Sequence, residues 1–205
     1  EVAGRSLAAR STGTVVGLAL DASRADPDLC ELLVTEDGWT SMREIASVLG
    51  RGLGDIDDIV ARFARAGVVR RTGDAVGGSV DLYHDRVRAE LGARVDSSAR
   101  ARMHGRLADH HLATGTAPGA RVVRHLWEAG RRVEAAAVAR DAAGAATRQR
   151  AFGLAADMLA IALSASPGDE ALREARAWAL DRSGRYTEAH VECGSLAGAA
   201  TGERA

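Results

Sequence analysis

The chain has 205 residues, with 27 arginines against 28 acidic residues and a formal net charge of −1. This length accommodates one large domain or two small ones, and the balanced charge argues against a basic nucleic-acid footprint over the whole protein. Alanine accounts for 43 residues and aromatic residues for 3%, which favours tightly packed helices. Because the sequence contains no lysine, it does not itself supply the lysine of a phosphate-binding P-loop, a protein kinase or a Schiff-base enzyme.

Residues 1–25 carry small residues without a sustained hydrophobic period, and we expect a linker there. No apolar run approaches the roughly 20 residues that a membrane helix needs, and no signal peptide is recognisable. Cys30 and Cys193 lie far apart, form no metal-ligand pattern and are flanked by apolar residues at helical spacing. We therefore expect two buried free thiols in a reducing, cytoplasmic compartment.

The segment over residues 26–95 begins with two helix starts, each with its own capping residue. Asp26 precedes Pro27, which suits the first helical position because its missing N–H is not needed there. Ser41 and Glu44 form a capping box ahead of a second apolar helix. The spacing therefore predicts two short helices in the first half of this segment.

A third helix is expected to start at Asp55 and to end at Gly67, a residue type favoured just beyond a helix C-terminus. Two short apolar runs, 68–71 and 80–83, then flank a glycine-rich turn and predict a β-hairpin. Three short helices followed by a hairpin are typical of a winged helix. We assign residues 26–95 to a winged-helix domain.

Residues 96–203 are predicted to form a helical arm, because apolar residues recur at helical spacing between short glycine or proline turns. Ala155 and Ala189 are 34 residues apart, the tetratricopeptide period, and Ala189 ends the phrase Gly-x-Tyr-x-Glu-Ala. A similar phrase at Gly130 lies out of phase. We therefore expect a mainly α protein in which a winged helix precedes a degenerate, tetratricopeptide-like α-solenoid.

The charges of the predicted winged helix argue against duplex DNA as its partner. The third helix of such a domain enters the major groove, and here its start carries Asp55, Asp57 and Asp58. Residues 26–95 have a net charge of −4, whereas affinity for DNA depends on neutralising phosphates. A winged-helix DNA-binding transcriptional regulator with a helical effector arm is therefore the alternative and not the preferred function.

The segment over residues 96–150 is basic, with a net charge of +5. Because it lacks the interleaved aromatic residues that stack on bases, we expect a solvated or domain-contacting face, with an RNA or acidic-partner strip as the alternative. Its candidate arginines are Arg100, Arg102, Arg106, Arg121, Arg124, Arg131 and Arg132.

Three histidines, His104, His110 and His111, lie on one predicted helix. No glutamate or cysteine in the local pattern completes a metal-ligand set, so we expect ordinary packed or exposed histidines. No Ser-His-Asp or Cys-His arrangement has a recognisable local setting either. The sequence therefore predicts neither an enzyme nor a metal site.

One phrase joins the last strand of the hairpin to the next helix: Leu82-Tyr-His84-Asp85-Arg-Val-Arg-Ala-Glu-Leu91. It resembles the Phe/Tyr-x-His-Asp-x-x-x-Arg-Glu junction of STAND-class signalling ATPases, which are multidomain P-loop switches. The form is similar to that of large bacterial Ser/Thr protein kinases that carry a regulatory ATPase and tetratricopeptide repeats. Residues 26–170 also follow that family's order of domains, although the P-loop module is missing.

The resemblance implies a nucleotide-dependent role for this junction. His84 would contact the β-phosphate of ADP in the closed state, and Asp85 would cap the following helix; the ADP or ATP would be held by an adjacent nucleotide-binding domain. The alternative is that His84 only satisfies a buried polar contact. We therefore expect a non-catalytic regulatory segment whose winged helix docks on that domain and whose arm senses a protein partner.

Overall fold

The computed structural model describes residues 17, 20, 21, 23–36, 38–74, 76–115 and 117–202. Within these residues the protein is mainly helical, with one small antiparallel sheet. Most of the linker expected over residues 1–25 lies outside the described residues, and those of its residues that are described from 17 to 25 are helical. None of the described helices combines the length and the apolar character needed to cross a membrane.

The chain forms two compact units, Glu1–His110 and His111–Ala205. The division lies inside a helix, Ser97–Thr114, and not between residues 95 and 96, where the sequence analysis places the domain boundary. The difference arises because Met103 and Leu107 of that helix are buried in the core of the first unit.

The described elements from residue 26 to residue 114 are five helices and three short strands. In chain order they are α1 (Pro27–Thr35), β1 (Thr40–Ser41), α2 (Met42–Leu49), α3 (Leu53–Arg65), β2 (Val69–Thr72), β3 (Ser79–Leu82), α4 (Asp85–Gly92) and α5 (Ser97–Thr114).

Local capping chemistry fixes the starts of the first two helices. The Asp26 carboxylate accepts a hydrogen bond from the Leu29 N–H at 3.1 Å, and the Ser41 hydroxyl accepts one from the Glu44 N–H, also at 3.1 Å. Each bond satisfies an N–H group that the helix itself leaves without an acceptor. Both predicted helix starts are confirmed.

Helix α3 starts at Leu53, two residues before the predicted Asp55, because Gly52 takes the N-cap position without a side-chain hydrogen bond. Its end is as predicted: Gly67 has a φ of +73°. There the Gly67 N–H donates to the Ala64 carbonyl and the Val68 N–H to the Phe63 carbonyl, both at 3.0 Å. This pair of bonds is a Schellman motif, which ends the helix and turns the chain into β2.

The sheet has the strand order β1-β3-β2 with antiparallel pairing throughout. The predicted hairpin is confirmed by β2 and β3, in which Val69 lies opposite Leu82. Strand β1, which the sequence analysis did not predict, places Thr40 opposite Val80. In the hairpin turn the Asp74 carboxylate accepts from the Val76 N–H at 3.0 Å, which defines an Asx turn, and from the Gly77 N–H at 2.7 Å.

The first unit has one continuous apolar core, to which helices α1 to α5 and strands β2 and β3 contribute. Its largest fully buried side chains are Leu29, Leu32, Leu33, Met42, Ile45, Ile56, Leu91, Met103 and Leu107. Burying such side chains contributes about 1.5–3 kcal/mol each relative to exposure, so this core determines how the short helices pack.

In the second unit, helices follow one another through short turns, and each packs against the next. They are α6 (Gly119–Glu128), α7 (Arg132–Arg148), α8 (Phe152–Ala165), α9 (Glu170–Arg182) and α10 (Tyr186–Gly202). The predicted sequence of helices is therefore confirmed over the described residues.

Most of the buried apolar residues described in the second unit are alanines. On α7 and α8 the buried alanines are Ala135, Ala136, Ala139, Ala143, Ala146, Ala155, Ala156 and Ala162. Small side chains let helix axes approach closely. The sharpest example is Gly119, where an added Cβ would lie 2.9 Å from the Cβ of Ala142, so α6 and α7 are in backbone-to-side-chain contact at that point.

Candidate functional site

The candidate site is the junction between β3 and α4. His84 is the N-cap residue of α4 in an extended conformation, and its carbonyl accepts from the Val87 N–H at 2.9 Å. Asp85 is the first helical residue, so the expectation that it caps the helix is wrong. Its carboxylate lies instead in the first turn, where negative charge is favoured by the helix dipole.

Both predicted site residues have exposed side chains. The alternative, that His84 only satisfies a buried polar contact, is therefore wrong. The Tyr83 ring packs edge-on against the His84 ring, with centroids 4.5 Å apart and planes at 86°. Tyr83 is itself held by its N–H, which donates to the Val68 carbonyl at 3.0 Å. The junction thus presents a tyrosine–imidazole pair on the surface of the first unit.

Arg88, one turn after His84, holds this junction in place. Its Nη1 donates to the carbonyls of Leu33 and Glu36, at 2.7 and 2.5 Å. Its Nη2 donates to Asp81 Oδ1 at 2.7 Å. One guanidinium therefore connects the C-terminal end of α1, strand β3 and helix α4, and it neutralises a buried carboxylate.

Asp81 accepts the hydrogen bonds that hold the junction, and its side chain is only 6% exposed. Oδ2 accepts from Arg70 Nη2 at 2.7 Å, and Oδ1 accepts from the Leu82 N–H at 2.8 Å as well as from Arg88. A buried carboxylate requires such partners, because removing it from water costs several kcal/mol. The sequence analysis missed Asp81 and Arg88; the available signal was an acidic residue between the apolar Val80 and Leu82.

The arginines of the hairpin are engaged inside the first unit. Besides its bond to Asp81, the Arg70 guanidinium lies 4.8 Å from the centre of the Trp39 ring, a cation–π distance. Arg71 Nη1 lies 2.8 Å from Asp57 Oδ1. These contacts reduce the positive charge that the hairpin offers to a phosphate backbone.

Several basic residues of 96–150 make contacts within one unit. In the first unit, Arg106 donates to the Val48 carbonyl and Arg100 donates to the Gly92 carbonyl at 2.9 Å. In the second unit, Arg131 makes a two-point ion pair with Glu134. The Arg132 guanidinium lies 3.7 Å from the centre of the Trp127 ring.

The histidines of α5 have packed environments. His104 and His111 are buried, and His110 Nδ1 lies 2.9 Å from the Ser47 hydroxyl. The His111 ring also lies 5.5 Å, centroid to centroid, from the ring of the buried His125. Their environments are packed, and the interpretation of these residues as ordinary histidines stays a prediction.

The two cysteines differ. Cys30 is buried as expected, and burial, with the nearby Asp26 carboxylate, raises the pKa of its thiol to about 12. Cys193 is exposed, so the prediction of a second buried thiol is wrong. Its neighbours along α10 do not cover the thiol.

No family model matches the chain. No curated protein matches it, and no solved structure matches it either. What the fold defines is a class: a mainly helical protein of two compact units, the first built around a three-stranded antiparallel sheet.

Proposed function

We propose that this chain is a non-catalytic regulatory and protein-interaction segment of a signalling ATPase, a winged helix followed by a tetratricopeptide-like arm. The order α1-β1-α2-α3-β2-β3, with β3 in the middle of the sheet, supports a winged helix over residues 26–95. The 34-residue spacing of Ala155 and Ala189, both buried, supports repeats in the arm.

The observation that carries the proposal is the exposed side chain of His84 on a junction that is otherwise fixed. Arg88 and Asp81 hold the backbone on either side of it, and the Tyr83 ring packs against the imidazole. An imidazole N–H is a good donor to a phosphate oxygen. His84 is thus available to a β-phosphate of ADP on a docked nucleotide-binding domain, and Asp85 begins the helix behind it.

The switch then works through the difference in contacts between two domain arrangements. ADP stabilises the closed arrangement by the amount that the His84 contact adds, because a ligand shifts an equilibrium only by its differential affinity for the two states. A partner that binds the arm more tightly in the open arrangement shifts the balance the other way. Solenoid repeats present extended surfaces suited to such a partner.

The first test is the reading frame upstream of the Glu1 codon. A Gly-x-x-x-x-Gly-Lys-Ser/Thr phrase within about 300 residues, the span of one or two domains, is the expected result. A reading frame that starts just before Glu1 without such a phrase would overturn the switch and leave an independent interaction protein.

The second test uses the full polypeptide with its ATPase domain. We expect His84→Ala to raise the ADP dissociation rate about tenfold, since a hydrogen bond to a charged group contributes about 1.5–3 kcal/mol. His84→Gln keeps a side-chain N–H donor and should restore part of the loss. Arg86→Ala, an exposed change in the same turn, is the matched control. Equal dissociation rates for all four proteins would contradict the sensor role.

DNA binding is the competing function, and the charges of the first unit argue against it. Asp55 and Asp58 are exposed at the start of α3, and Arg70 and Arg71 are paired with Asp81 and Asp57. Fluorescence anisotropy with random-sequence duplex at low salt separates the two functions. Binding that weakens steeply with salt would favour the transcriptional regulator, whereas no binding is the result expected here.

A further inference from the structure

An open groove of about 520 Å³ runs between α9 and α10. Two helical stripes form it, one from each helix. Its lining residues are Glu174, Ala177, Trp178, Asp181, Tyr186, Ala189, His190, Cys193 and Leu196. The spacing within each stripe is i, i+3, i+4 and i+7, so each helix turns one continuous face toward the groove.

The floor of the groove is apolar and unusually exposed. Trp178 is 50% and Tyr186 68% exposed, although large aromatic side chains gain from burial. One edge of the Trp178 ring is held by a perpendicular contact with Phe152, with centroids 5.2 Å apart. The indole is therefore oriented by the protein while half of its surface stays open, as in the aromatic anchors of protein interfaces.

The two charged side chains among the lining residues are both carboxylates, whereas the Arg182 guanidinium, which is not among them, lies 6.0 Å from the centre of the Trp178 ring. Glu174 and Asp181 are exposed, flank Trp178 on the same stripe, and are seven residues apart, which is about 10 Å along the helix. No arginine lies among the lining residues. A second copy of the chain using the same face would bring these carboxylates together, so the charges favour a basic occupant.

The geometry points to this groove as the docking site for a basic amphipathic helix of a partner protein. Such a helix would lay apolar side chains on Trp178 and Tyr186 and would place two arginines or lysines, one heptad apart, against Glu174 and Asp181. The inference deepens the proposed role of the arm in sensing a protein. It rests on that part of the proposed function and is independent of the nucleotide contact of His84.

The test uses the full chain and a synthetic 18-residue amphipathic helix of leucine and alanine with arginines at positions i and i+7. Cys193 lies in the groove and is exposed, whereas Cys30 is buried. Alkylation of Cys193 therefore reports occupancy locally. We expect saturating peptide to slow this alkylation at least tenfold, while a peptide with glutamates in place of the arginines and a scrambled arginine peptide do not.

Variants of the groove make the test specific. The double change Glu174→Arg with Asp181→Arg should weaken peptide binding at least tenfold, as should Trp178→Ala. The matched control is Glu128→Arg with Asp141→Arg, which alters the net charge equally at exposed positions outside the groove. Circular dichroism of each variant checks that the helices are kept.

Three results would overturn the inference. One is the absence of protection by the arginine peptide, and another is equal protection by the scrambled peptide, which would indicate charge alone. The third is protection of Cys193 that rises with protein concentration in the absence of peptide, which would identify a second copy as the occupant. An unchanged ADP dissociation rate in the His84→Ala variant would contradict the nucleotide-sensing role of His84 and would leave the inference about the groove unaffected.

Discussion

Arg88 shows how one side chain can organise a small domain. Its guanidinium has five N–H donors in a fixed plane, and the protein uses three directions of it: two carbonyls at the end of α1 and the buried Asp81 carboxylate. Because Leu33 and Glu36 are more than fifty residues from Arg88 in sequence, these hydrogen bonds connect two distant parts of the first unit's chain.

We expect Arg88→Ala to lower the free energy of unfolding by about 3 kcal/mol, since the buried Asp81 loses a charged partner and two carbonyls lose their donor. Arg88→Lys should recover only part of this, because an ammonium group lacks the planar fork. Urea unfolding followed by circular dichroism measures the change. Arg86→Ala, an exposed neighbour, is the control, and an equal effect of the two alanine variants would contradict this role.

The site shows the limit of sequence reasoning at this scale. His84 and Asp85 are recognisable because they are adjacent in a characteristic phrase. Arg88 belongs to the same phrase, but its function depends on the Leu33 and Glu36 carbonyls, whose proximity only the tertiary fold creates. The cap position was misassigned by one residue because both an aspartate and its predecessor are compatible with an extended cap conformation.

At the scale of elements, helix starts that depend on hydrogen bonds between residues close in sequence were predictable. A strand that depends on pairing with residues far along the chain was not. Asp26 and Ser41 bond to N–H groups three residues away. Strand β1 exists because Thr40 and Ser41 pair with Val80 and Ser79, nearly forty residues on. Two residues carry no recognisable alternation, so no pattern in the sequence indicates this strand.

Gly119 provides a prediction at the same scale. An alanine in a helix is ordinarily favoured over glycine by up to about 1 kcal/mol. At this position, however, the new Cβ would lie 2.9 Å from that of Ala142, so we expect Gly119→Ala to destabilise the protein by about 1–2 kcal/mol through overpacking. Thermal unfolding followed by circular dichroism shows whether Gly119→Ala raises or lowers the stability.

Two further variants test the cause of that effect. Gly153→Ala, also in the first turn of a helix, places its Cβ 4.0 Å from Ser183 Cβ and should be neutral or stabilising. Ala142→Gly in the Gly119→Ala background should restore part of the lost stability by removing the contact. Destabilisation by both single glycine substitutions to the same extent would show that the α6–α7 contact is not the reason.

At the scale of the whole molecule, both units carry carboxylates whose pKa is held below the ordinary value by hydrogen bonds. They are Asp74 (Gly77 and Val76 N–H), Asp96 (Ser98 hydroxyl), Glu134 (Arg131), Asp169 (Leu172 N–H) and Glu188 (Arg185). Glu31 has the opposite shift, since burial raises the pKa of its carboxyl.

Each lowered pKa stabilises the folded state above about pH 4, where the unfolded carboxylate is also ionised, and this contribution is lost as the pH falls through the folded value. We therefore expect the urea midpoint to fall between pH 5 and pH 3. The double change Glu134→Gln with Glu188→Gln should reduce the slope in this interval. A midpoint that is the same at pH 5 and pH 3 would contradict the prediction.

The alanine-lined interior of the second unit has a thermodynamic consequence. Heat capacity rises on unfolding in proportion to the apolar surface exposed, and a methyl group exposes far less than the leucine, isoleucine and methionine side chains in the core of the first unit. The arm should accordingly have a smaller heat-capacity increment per residue and a flatter dependence of stability on temperature. Cooling then weakens the sheet-containing unit, whose core depends more on the hydrophobic effect, before it weakens the helical one.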